Sequence, residues 1–157
     1  MSERNNENNG HRSVLWRKCL LELRYVNEAL ASLDGLRLYM PKAFRLAIQR
    51  IDAEIWLMVT SKVGTIDIMP EVLWEDYLDW LIGEKGERKF GGDQSAPLMK
   101  YFVTKPHRTR WTIPSTLSIS SGIYGGGLDV HLLPEQAFIR VWNAEERRKS
   151  ISHLLGR

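Results

Sequence analysis

Apolar residues at Trp16, Cys19, Leu23, Val26, Leu30 and Leu33 are separated by three, four, three, four and three positions. That spacing lines one face of a helix. Ser13 stands before the stripe as an N-cap, and Asp34-Gly35 follows it, glycine being the residue that tolerates a left-handed C-cap. The pattern predicts a first helix across all of this stretch. Pro41 suits the first turn of a second helix, where its missing N–H is not needed. Phe44, Ile48, Ile51, Ile55 and Met58 continue from it at steps of four, three, four and three, predicting a helix that stops between Ser61 and Gly64. The short connection between the two favours an antiparallel pair. Ile66 and Ile68 alternate with polar residues as a short extended segment, Pro70 opens a further first turn, and residues 72–82 form a third helix closed by Gly83. In that helix Leu73, Trp74, Tyr77, Leu78 and Leu81 share the apolar side, carboxylates occupy the other, and Trp80 falls toward the polar side as an exposed aromatic.

Residues 83–97 are rich in Gly, Lys and Glu and read as a loop, the one place where two subdomains would hinge. Beyond it the period changes to two. Residues 99–104, 109–113, 116–120, 128–132 and 138–142 are rich in β-branched and aromatic side chains, and Pro106, Pro114 and the glycine run at 122–127 separate them. Asn143 and Glu146 stand at capping-box spacing ahead of a final helix over residues 144–155, with Gly156 past its end. The expected fold is α+β: an N-terminal helical half of two longer helices and a short third, then a small antiparallel sheet and a C-terminal helix. Residues 1–12, polar and Asn-rich, read as a disordered tail, leaving 13–157 as a single domain.

Charge adds a second layer to this picture. Residues 12–50 hold eight Lys and Arg against three acids, residues 51–93 hold four against ten, and residues 94–157 hold nine against four. No Asp or Glu lies between Gln94 and Leu128, yet Lys100, Lys105, Arg108 and Arg110 do, with Tyr101, Phe102 and Trp111 among or beside them. A cationic run without local counter-charge finds its anions on an acidic face of the same protein or on a partner. The single cysteine excludes an intramolecular disulfide, and no apolar run reaches the roughly 20 residues of a membrane span. Together these point to a soluble protein of a reducing intracellular compartment.

Most catalytic chemistry finds no support. His11, His107, His131 and His153 are far apart and none pairs with Cys19 at zinc-like spacing, so no metal site or cofactor is expected. Cys19 sits on an apolar stripe, and no serine lies in a G-x-S-x-G elbow. The glycine run at 122–127 lies between strands and lacks the Lys-Ser/Thr of a phosphate loop. His107-Arg108-Thr109 has no second His-x-Thr/Ser to complete a two-histidine acid–base pair.

What survives is an anion-binding surface on a non-enzymatic protein. Lys100, Lys105, Arg108 and Arg110 would hold phosphates, with Trp111 and Tyr124 as stacking surfaces, and Arg140, Arg147, Arg148 and Lys149 would extend the cationic face from the last strand and helix. RNA or single-stranded DNA fits that set best. A second reading is a protein-interaction or scaffold role, as an accessory or matrix-type protein of a virus or mobile element that self-associates or docks on a larger machine. It rests on Trp74, Tyr77 and Trp80 as aromatic anchors. A third is peripheral contact with anionic lipid.

Overall fold

The computed structural model describes residues 14–85, 95–104, 109–123 and 129–154. The first helix, α1, covers residues 14–23 and stops there. The chain turns at Arg24 and Tyr25 and enters a strand, β1 (Ala29–Asp34), which returns as β2 (Arg37–Tyr39). Leu30 and Leu33, expected on the helical stripe, therefore belong to a hairpin, and Gly35 (φ +65) serves its turn. The second helix, α2 (Lys42–Ile51), starts after Pro41 as expected and buries Phe44, Ala47 and Ile51. It ends seven residues before Met58, because Asp52 takes a left-handed conformation and the chain continues as β3 (Ile55–Lys62).

A tight turn through Gly64 leads to β4 (Thr65–Pro70), a short 3₁₀ turn (Glu71–Leu73) and the third helix, α3 (Trp74–Lys85). Gly83 lies inside that helix, so the expected hinge begins later, and residues 86–94 of it fall outside the described residues. β5 (Ser95–Thr104) and β6 (Arg110–Thr112) follow. The next segment, expected as a strand over 116–120, is a helix, α4 (Ser115–Ser121): Pro114 precedes its first turn and Gly122 (φ 77) closes it. β7 (Asp129–Glu135), β8 (Phe138–Asn143) and α5 (Ala144–Leu154) complete the order. Asn143 caps α5 through Oδ1, which accepts from the backbone N–H groups of Glu145 at 2.9 Å and Glu146 at 3.3 Å. The expected tail at residues 1–12 lies outside the described residues.

The fold class therefore needs correction. Helices are interspersed among strands rather than gathered in an N-terminal half, and the sheet is large. Antiparallel ladders join eight described strands in the order β5-β3-β4-β8-β7-β1-β2-β6. The sheet curls into a half-barrel. Trp56 on β3 and Trp111 on β6 are six strand positions apart in that order, yet their rings meet edge-to-face at 5.7 Å. In a flat sheet six spacings of about 4.8 Å would hold them roughly 29 Å apart. α4, directly after β6, closes the gap by packing on β3 and β5, where the Tyr101 and Thr116 hydroxyls hydrogen-bond.

Two apolar layers share these strands. The inner one fills the concave side with Cys19 and Leu23 from α1, Phe44, Ala47 and Ile51 from α2, and alternate residues of the strands, among them Leu33, Leu38, Met58, Ile66, Ile139 and Val141. The outer one is smaller: Leu57, Val59, Met69 and Phe138 under Tyr77 and Leu81 of α3. β3 and β4 are thus buried on both faces, so neither shows the clean alternation of a half-exposed strand.

Candidate binding surface on the outer sheet face

Alternation along each strand sorts the charged residues between the two faces. With Ile139 and Val141 inward, Phe138, Arg140 and Trp142 of β8 point outward; with Leu38 and Trp111 inward, Arg37 and Tyr39 of β2 and Arg110 and Thr112 of β6 do the same. The described helices cover only part of this outer face. α3 lies over β3, β4 and Phe138, and α5 packs on β7 and β8. Leu30, Ser32, Asp34, Arg37, Tyr39 and Thr112 are exposed, so the β1-β2-β6 side is open.

Within the covered part, Arg140 is committed to the fold. Its Nε donates to Asp67 Oδ1 at 2.7 Å and a terminal nitrogen donates to Oδ2 at 2.9 Å, both residues being buried. Tyr77 reaches down from α3 and donates its hydroxyl to Asp67 Oδ2 at 2.7 Å, while Ser61 Oγ lies 3.1 Å from that hydroxyl. Burial alone would lower the guanidinium pKa, but the Asp67 charge and hydrogen bonds outweigh it and hold Arg140 above its ordinary value. Burial, then the Asp67 charge, pushes the Tyr77 phenol well up. The rings of Trp80, Phe138 and Trp142 lie 5.7–5.9 Å from this guanidinium. Trp80 also meets Phe138 edge-to-face at 5.1 Å, and Trp74 stacks on Tyr77 at 5.9 Å. The three aromatics read as interface anchors therefore pack α3 against the sheet; Tyr77 is buried and Trp74 and Trp80 half-buried.

At the α5 end, Trp142 carries two further cations. Lys62 Nζ sits 4.8 Å from its ring centre and the Arg147 guanidinium 5.8 Å. Arg147 Nε donates to Glu28 at 3.1 Å, and the same carboxylate oxygen lies 3.2 Å from His131 Nδ1. Arg148 is exposed, and Lys149 lies near Glu145 at 3.9 Å and Glu146 at 3.6 Å on its own helix.

The open part holds Arg110, directly opposite Tyr39 in the β2–β6 register, with Arg37 two residues along the same face. Tyr39 is 44% exposed. Trp111, read from the sequence as a stacking surface, is 2% exposed and belongs to the inner layer with Trp56. Lys100 lies on β5 in register with Val59, while Lys105, Arg108 and Tyr124 lie outside the described residues. The outer face thus carries Arg110 and Arg147 on one side of the sheet but far apart, with Arg148 and Lys149 following Arg147 on α5. β6 and β8 are four strand positions apart, about 19 Å of sheet at 4.8 Å per spacing.

Sequence reading missed Arg37, Tyr39 and Lys62. Arg37 and Tyr39 flank the inward Leu38, a period-two signal hidden in a stretch read as a link between helices. Trp142 was legible as the neighbour of Arg140, since residues two apart on a strand share a face. Among the described residues no cluster of His, Cys, Asp or Glu is placed to hold a metal ion, and no helix is long and apolar enough to cross a membrane. No protein-family model matches the chain, and no curated protein sequence matches it.

Proposed function

We propose that the chain is a binding protein for single-stranded nucleic acid, RNA or DNA, which lies across the open β1-β2-β6 part of the outer face and extends toward α5. The observation that carries this reading is Tyr39: an exposed ring on an uncovered sheet surface, opposite Arg110 and beside Arg37. A π-face accepts any base and contributes about 1–3 kcal/mol per stacked base, and flanking guanidiniums take phosphates at salt-dependent gain. Arg147, Arg148 and Lys149 offer further phosphate contacts where the strand passes α5. Arg110 is the better phosphate ligand of the β2–β6 pair, because Arg37 stands in register with Asp34.

The test is fluorescence anisotropy with a labelled single-stranded oligonucleotide at low and moderate salt. Tyr39→Ala is expected to weaken binding about 5- to 100-fold, and Arg110→Glu to weaken it while flattening the salt dependence. Both side chains reach solvent, so the circular dichroism spectrum should not change. Unchanged affinity in both variants, or no binding by the wild-type protein, overturns the proposal.

A further inference from the structure

We infer that the outward face of α1 is a docking surface for an anionic lipid bilayer, separate from the sheet surface above. α1 has already spent one face on the core: Cys19 and Leu23 are buried in the inner layer, and Leu15, Trp16 and Val26 pack against it. At 100° per residue the opposite pole of the helix falls on Val14, Arg17, Lys18 and Leu21. Val14 is 66% exposed and Leu21 is 54% exposed, so both leave most of their apolar surface in solvent. Tyr25, just past the helix, is 81% exposed and lies under the Arg24 guanidinium, 5.2 Å from its ring centre.

The chemistry of this face selects its partner. Hydrocarbon side chains at the pole need an apolar phase, whereas the exposed Arg17 and Arg24 beside them need anions; Lys18 turns its ammonium to the Ile51 carbonyl of α2 at 3.5 Å, and Glu22 is the one acid among residues 14–26. A bilayer interface with acidic headgroups supplies both at once. The apolar tips enter the acyl boundary, the long cationic side chains reach headgroup phosphates, and Tyr25 presents an apolar ring with a polar tip at that level. Nucleic acid offers the anions but no apolar phase for Val14 and Leu21. A second copy of the chain would oppose two helices that each carry a surplus of positive charge, which disfavours self-pairing. The described part of α1, residues 14–23, is far shorter than the roughly 20 residues of a bilayer span, and the contact is placed in the interface plane.

Flotation with phosphatidylcholine vesicles, with and without phosphatidylserine, tests this. The wild-type protein should float with the serine-containing vesicles, lose that association at high salt, and stay behind with phosphatidylcholine alone. Replacing all three exposed residues, Val14→Ser, Leu21→Ser and Tyr25→Ser, should cut the bound fraction about tenfold with the fold intact. Arg110→Glu, on the far sheet surface, should float as the wild type does, which separates this inference from the nucleic-acid reading. Failure of the wild type to float, equal flotation by the triple variant, or loss of flotation in Arg110→Glu each overturns it. So does a triple variant that loses oligonucleotide binding while a non-floating wild type keeps it, because α1 would then belong to the nucleic-acid surface.

Discussion

Cys19 has no role in redox chemistry that its surroundings would favour. It is fully buried on α1, and burial pushes its thiol up to about 12, with Lys18 opposing and Glu22 adding to the effect. The folded protein therefore keeps this proton where the unfolded chain, titrating at 9.0, begins to lose it. The stabilisation is complete below pH 9 and falls as pH rises toward 12. Between pH 8.5 and 10 the wild-type protein should lose about 1 kcal/mol in urea unfolding, and Cys19→Ala should lose little of its own stability over that window. Arg140 carries a different constraint. Arg140→Met leaves the Asp67 carboxylate buried with only the Tyr77 hydroxyl as a described donor, and should cost about 3–5 kcal/mol. Asp67→Leu combined with Arg140→Met removes both charges, leaves Tyr77 its Ser61 contact, and should regain most of that loss. Urea melts of the two single variants and the double variant measure the coupling, and strict additivity would show that the pair acts independently.

At the scale of elements, the residues that misled are those where two periods coincide. Leu30 and Leu33 fit a 3.6-residue stripe, and Ala29, Ala31 and Leu33 fit a two-residue one equally well; tertiary pairing with β7 decides for the strand. Ile55 and Met58 extend the α2 stripe in the same accidental way, although the run from Ile55 through Val59 is apolar throughout, with no polar face. β3 is buried on both sides, so the alternation that would have marked it is missing. The serines and threonines of α4 read as a polar strand face, but Pro114 and Gly122 are start and stop signals with seven residues between them, and Leu117, Ser118 and Ser121 are buried on one side. Ser118 Oγ and Ser121 Oγ spend their hydrogen bonds on the Ile123 and Ser118 carbonyls, which is how a polar helix is tolerated there. Elements with a single strong signal were legible: α2 after Pro41, α3 after Pro70, and α5 behind Asn143. The same logic divides the binding surface. Alternation alone places Arg110 and Trp111 on opposite faces, but which face is the core depends on curvature, and that depends on pairing the chain does not announce locally.

Curvature is a property of the whole molecule, and it sets how the molecule should come apart. β3 supplies Trp56 and Met58 to the inner layer and Leu57 and Val59 to the outer one; β4 and β8 are shared in the same way. Neither layer keeps its strands in place if the other is lost, so unfolding should be a single transition in spite of two apolar clusters. The Trp56–Trp111 contact is the sharpest place to test this, because it joins strands near opposite ends of the sheet order. Trp111→Ala opens a cavity at that junction and should cost about 3–5 kcal/mol. The remaining tryptophans report on both sides at once: Trp56 lies in the inner layer, and Trp74 and Trp80 pack against the outer one. In the variant, tryptophan fluorescence and far-ultraviolet circular dichroism should shift together to lower urea, with coincident midpoints. A fluorescence change preceding loss of secondary structure would mean instead that α3 and the outer layer form a separately stable unit.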